Sequence, residues 1–92
     1  MQSHIKTYLK HFDLGEQDLI TCECCLKEGR IDGQGYDIHH IKGRVGKDAD
    51  KIENLICVCR KHHDMIHAGI PKSEVQYIHN FYLTGRRKIH LK

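Results

Sequence analysis

His63 and His67 are four residues apart, so a helix running from Arg60 to about Ala68 would stand their rings one turn apart on a single face. Two imidazoles so placed hold one cation. His39, arriving on a separate segment, could complete a three-nitrogen site with open coordination positions, which would leave His40 beside it with no metal to bind. Asn54 lies between the two groups. Three metal-binding imidazoles next to a fourth that can exchange a proton near neutral pH could activate a water beside a bound cation.

A second set of ligand types surrounds the first. Cys22-x-x-Cys25 at a chain reversal lets two sulfurs face one tetrahedral metal, and Cys59-Arg60-Lys61-His62 repeats the two-residue spacing. Cys22, Cys25, Cys59 and His62 are therefore expected to hold one structural Zn2+ as a Cys3His site. Cys24 is expected to point away as a small apolar filler, although its exchange with Cys22 or Cys25 stays open. Cys57 competes with Cys59 but lies deeper in an apolar run. His62 and His63 separate naturally, because adjacent helical residues diverge by about 100° and can serve different ions.

Several elements must position these groups. Ile5, Tyr8, Leu9 and Phe12 fall at helical spacing within about residues 3–13, with Lys6 and Lys10 opposite, which predicts an amphipathic helix ended by Leu14-Gly15. Residues 27–36 are rich in glycine and polar side chains, and read as a turn-rich connection. A strand is expected over residues 36–41. Alternation then puts His39 and His40 on opposite faces, so a shared site requires the strand to end or bend there, as Gly43 and Gly46 allow. In isolation the pair reads as one core histidine and one facing solvent. Leu55-Ile56-Cys57-Val58-Cys59 predicts the second strand of a hairpin, with Asn54 at its start bracing the loop through neighbouring backbone groups. Gly69-Ile70-Pro71 closes the next helix, and another runs over about residues 72–84 on Val75, Ile78 and Tyr82. His79 has no partner at metal spacing, and is read as an ordinary surface or partly buried residue.

Ninety-two residues make one small domain, near the size at which a hydrophobic core alone is marginal and a metal staple is expected. The core is expected over about residues 20–69. Five cysteines is an odd number, and nothing at the start resembles a signal peptide, so reduced thiols on zinc fit better than disulfides. With no long apolar stretch, a membrane span is excluded and a soluble, cytoplasmic protein is expected. The formal charge of +3 has the sign of a nucleic-acid binder but not the size. It is uneven: up to Gly46 there are six basic and seven acidic side chains, and beyond it nine and five, so the positive charge accompanies the His63 helix. Lys42 and Arg44 in the loop after the histidine pair, and Arg86 and Arg87 in the basic tail, are the candidate nucleic-acid contacts; simple solvation is the competing use of each.

The stretch from His39 to His67 resembles the HNH endonuclease family, whose ββα-metal motif carries a histidine pair, an asparagine and a helix with His-x-x-x-His. The resemblance implies an α+β fold, a small zinc-stapled ββα-metal (His-Me finger) core with flanking N- and C-terminal helices. The three letters correspond to His40, Asn54 and His63, which it makes the catalytic residues, and it adds His39 and His67 as ligands of a catalytic divalent cation. It alone orders the first pair, giving His40 the role of general base. It implies DNA as substrate, products with 5′-phosphate and 3′-hydroxyl ends, and no organic cofactor. Many small members also carry a zinc site built from two cysteine pairs; here a histidine stands in fourth place. With three imidazoles as ligands, Ni2+, Mn2+ or Co2+ is expected to serve better than Mg2+, unless a carboxylate such as Asp37 or Asp64 joins the shell. A non-catalytic zinc module binding nucleic acid or protein is the alternative, and does not account for four histidines beyond the zinc site. A hydrolase of other phosphoesters is excluded by no residue.

Overall fold

An alternating segment and an unbroken apolar run pair to form the central hairpin. In the computed structural model, which describes residues 2–30 and 33–90 with 86–90 by backbone alone, β1 (Asp37–His40) runs antiparallel to β2 (Leu55–Val58), with His40 opposite Leu55 and Ile38 opposite Cys57. Each strand is a residue or two shorter than expected, yet the bonding reaches further. Tyr36 N–H donates to Val58 O at 3.0 Å and Ile41 N–H to Asn54 O at 2.8 Å.

All four residues of β2 are buried because its two faces serve two cores. Ile56 and Val58 pack with Cys22, Cys24, Cys25, Ile41 and Val75, whereas Leu55 and Cys57 pack with Tyr8, Phe12 and Tyr82. Period-two alternation thus divides one strand between two clusters. Each aliphatic side chain buried this way contributes about 1.5–3 kcal/mol.

Helix α3 (Arg60–Ala68) follows β2 with only Cys59 between them, as its N-cap, and stops at Gly69, whose φ of 138° few other residues adopt. β1, β2 and α3 make a ββα unit. Around it stand α1 (Ser3–His11), the one-turn α2 (Glu23–Lys27) and α4 (Lys72–His90). The molecule is α+β, with the ββα-metal fold and helices flanking it at both ends of the chain. Among the described residues no helix is long and apolar enough to cross a membrane.

Three differences from the sequence expectations have physical causes. α1 stops at His11 because Asp13 takes a left-handed conformation (φ 57°), letting Leu14 N–H reach Leu9 O at 2.8 Å and Asp13 N–H reach Lys10 O at 3.2 Å, a Schellman closure. α2 was not anticipated, being too short to show a helical period. α4 continues through Gly85 to His90 rather than ending near Thr84.

The largest correction concerns His79, which is wholly buried rather than at the surface or partly buried. Nδ1–H donates to Glu23 Oε1 at 2.8 Å and Nε2–H to Ile52 O at 2.6 Å. Glu23, also buried, accepts Tyr8 O–H at 2.5 Å and Cys57 N–H at 3.2 Å on its other oxygen. One carboxylate thereby ties α1, α2, β2 and α4 together.

Candidate functional site

Cys22 caps α2, and its Sγ accepts the Cys25 N–H at 3.4 Å, the local geometry that turns both sulfurs the same way. From the first turn of α3, His62 brings Nδ1 to 3.6 Å from Cys22 Sγ, 3.5 Å from Cys25 Sγ and 3.2 Å from Cys59 Sγ, while Cys25 Sγ and Cys59 Sγ are 3.9 Å apart. A tetrahedral zinc with Zn–S of about 2.3 Å and Zn–N of about 2.0–2.1 Å requires S···S edges of about 3.8 Å and S···N edges of about 3.5 Å. The four donors fit it. His62 Nε2–H donates to Glu28 Oε2 at 2.9 Å, which leaves Nδ1 as the ligating nitrogen.

The sulfurs do not titrate alike. Hydrogen bonding, chiefly from Cys24, pulls the Cys22 thiol down to about 4, whereas burial pushes Cys25 up to about 12. Three sulfurs this close carry negative charge together only when a cation compensates it, which is the chemistry a structural zinc supplies. Gly33 packs so tightly on Cys25 that a Cβ there would collide with the cysteine side chain. Cys24 and Cys57 are buried in the two cores and stand outside the four-donor group.

His62 and His63 diverge around α3 to separate clusters. His63 Nε2 lies 3.0 Å from His67 Nε2, and the His39 ring sits 5.2 Å from that of His63 and 5.5 Å from that of His67. Nitrogens bound cis on an octahedral ion at about 2.1 Å are about 3.0 Å apart, so the His63–His67 spacing fits a shared divalent cation. Asp37 accepts the Nδ1–H of His63 at 3.0 Å, and thereby leaves the Nε2 lone pair facing His67. Burial, then the neighbouring His63 and His67, depress the His39 pKa to about 4. A neutral imidazole is the form that ligates.

His40 leaves β1 on the other side from His39, as alternation requires, yet both line one cleft of about 350 Å3 with His4, Arg44, His63 and His67. The strand ends at His40, and the chain turns at Gly43 (φ 97°), so the cleft wraps the strand end. His40 Nε2 is 2.8 Å from Asp50 Oδ1, and its ring lies 4.6 Å from that of His4. Asn54, expected among the catalytic residues, is buried and uses its polar atoms on the loop: Oδ1 accepts Lys42 N–H at 2.8 Å, and Nδ2 donates to Gly43 O at 3.2 Å and Ala49 O at 2.8 Å. It holds the site without facing the cleft. Arg44 is exposed at the cleft, whereas Lys42 lines the adjoining hollow with Lys47. The side chains of Arg86 and Arg87 lie outside the described residues.

Sequence reasoning did not assign His4, Asp50 or Glu28, and it raised Asp37 only as a possible extra metal ligand. Asp37 carried a signal, since i and i+2 share a strand face and it therefore accompanies His39. For the others, partners are brought together across 10 to 36 residues of chain, and no local pattern marks them.

No curated protein and no solved structure gives a significant match. The family model described as HNH endonuclease matches residues 22–69, more than half of the chain, and spans both cysteine-containing knuckles, the hairpin and α3. With that match over the same ββα unit, the Cys22, Cys25, Cys59 and His62 group and the His39, His63 and His67 group, the chain belongs to the HNH endonuclease family.

Proposed function

We propose that this protein is a metal-dependent endonuclease hydrolysing DNA phosphodiester bonds, with His40 as general base and His39, His63 and His67 holding one divalent cation. Family membership carries a nuclease-type function with metal binding and suggests a nucleic-acid substrate. The observation that carries the finer reading is the cleft itself, where three imidazoles converge within ligand distance of one another and a fourth opens on the same space with different partners. When bound, the cation acts as a Lewis acid that offsets charge on the scissile phosphate and the departing 3′ oxygen. His40 takes the proton from the attacking water. Asp37 orients His63, Asn54 fixes the loop that carries Arg44, and Arg44 meets a phosphate at the cleft rim. Zinc on Cys22, Cys25, Cys59 and His62 staples α2 to the start of α3. All three cation ligands are imidazoles, so Ni2+, Mn2+ or Co2+ supports cleavage at lower concentration than Mg2+.

The test is cleavage of plasmid DNA by zinc-loaded protein with added divalent metal, with and without chelator. His40→Ala is expected to keep stoichiometric catalytic-metal binding and to lose about 10²- to 10⁴-fold in rate. His67→Ala weakens the cation site instead, so its loss recovers partly at high metal concentration. If His40→Ala abolishes metal binding while His39→Ala retains it, the two roles are exchanged. If both His40→Ala and His67→Ala cleave normally, the proposed site does not exist.

A further inference from the structure

We infer that Asp50 is a positioning residue for His40, holding Nε2 so that Nδ1 is the nitrogen that accepts a proton, and that Ser3 of α1 locks Asp50 in place. The inference rests on the proposed role of His40 as base. It concerns which atom acts and what aims it.

A carboxylate only accepts, so the 2.8 Å contact between Asp50 Oδ1 and His40 Nε2 puts the hydrogen on Nε2 and the lone pair of the neutral ring on Nδ1. The other oxygen, Oδ2, accepts Ser3 Oγ–H at 2.5 Å. One oxygen therefore engages the histidine and the other engages α1. The Ser3 hydroxyl, and then His40, hold the Asp50 carboxyl below the usual carboxylate range, which keeps it an acceptor. The backbone on both sides of Asp50 is fixed as well. Asn54 Nδ2 grips the carbonyl of Ala49, and Lys51 N–H closes a turn on Asp48 O at 3.2 Å. The bracing asparagine thus acts on the base through the residue next to Asp50.

Burial shows which partner is being aimed. The His40 side chain is 6% exposed against 44% for Asp50, so the ring is confined and the carboxylate reaches in from the surface to meet it. His4, beside Ser3, packs against His40 with its ring tilted 50° to that of His40. Ser3 and His4 precede the segment that matches the family, so the N-terminal helix becomes part of the site rather than mere support.

The experiment uses the zinc-loaded 92-residue protein labelled with 15N histidine, the His40 signals being identified by their loss in His40→Ala. At alkaline pH the native protein is expected to show His40 as the Nε2–H tautomer, Asp50→Asn to lose that preference, and Asp50→Glu to restore it. In plasmid cleavage Asp50→Asn is expected to lower kcat by about 10- to 100-fold, with little change in KM, in zinc content or in stoichiometric binding of Ni2+. Ser3→Ala should lower kcat by about fivefold. An unchanged tautomer and kcat in Asp50→Asn overturns the inference. So does the loss of one bound equivalent of Ni2+ in that variant, which would make Asp50 a ligand with His4 and His40. If the native protein cleaves nothing, the nuclease reading fails while the tautomer measurement still decides whether Asp50 sets the ring.

Discussion

Asp37 Oδ2 accepts the Nδ1–H of His63 at 3.0 Å, joining the first residue of β1 to the first turn of α3. The bond sets the tautomer of His63, and so decides that Nε2, the atom 3.0 Å from His67 Nε2, carries the lone pair. Asp37 thereby acts on the imidazole cluster without joining it. Arg60 Nε lies 3.9 Å from the same carboxylate oxygen, but its side chain is largely exposed and adds little.

Asp37→Asn is expected to weaken catalytic-metal binding by about 10- to 100-fold while the fold and the zinc remain, the usual consequence of removing a partner behind a ligating histidine. Calorimetric titration of zinc-loaded protein with Ni2+ measures it. Cleavage should recover at high metal concentration. An unchanged affinity would mean that His63 needs no orientation or does not ligate.

One zinc ion is expected to accompany the purified protein, contributing about 10 kcal/mol to a domain of this size. Cys25→Ala and Cys59→Ala should lose the ion and the cooperative thermal transition. Cys24→Ala and Cys57→Ala remove buried sulfurs outside the four-donor group, so they should retain the zinc and only lower the melting temperature. Elemental analysis beside calorimetric scanning separates the outcomes. A sharp transition without zinc would dismiss the site.

The donor groupings were legible in the sequence because each spacing lies within one turn or one knuckle: His63 with His67, Cys22 with Cys25, Cys59 with His62. The hairpin and α3 were legible for the same reason, since period-two and period-3.6 patterns are local. Burial of a polar side chain is not local. Nothing near His79 in the sequence announces Glu23, 56 residues earlier, and nothing near His40 marks Asp50 as its partner. Partners of this kind follow from how α1 and α4 close over the hairpin, which periodicity alone does not give.

Asn54→Asp keeps the shape of the side chain but removes both hydrogens donated to Gly43 O and Ala49 O, and sets negative charge against the two carbonyls. The expected cost is about 1–3 kcal/mol, with faster amide exchange across residues 42–50. Cleavage should fall with metal affinity unchanged, because Asn54 supports the loop rather than the cation. Exchange that stays slow in that loop would contradict the bracing role.

The buried pair of Glu23 and His79 supplies the last test. Both nitrogens of His79 face acceptors, Glu23 Oε1 and Ile52 O, so with Glu23 ionised the ring must carry two hydrogens. Burial opposes the charged imidazole, yet the bond to Glu23 outweighs it and raises the His79 pKa; burial likewise raises that of Glu23, so the pair retains its proton. His79→Ala strands a carboxylate in the core and should cost about 3–5 kcal/mol. Glu23→Gln should cost far less, about 1 kcal/mol, since its oxygen can accept from Tyr8 and Cys57 while its amide donates to Nδ1 of a neutral His79 that still bonds Ile52 O. Urea unfolding of both variants measures the difference, with zinc content checked in each because Glu23 adjoins Cys22. Equal destabilisation by the two substitutions would show that the charge on Glu23 matters no more than its shape.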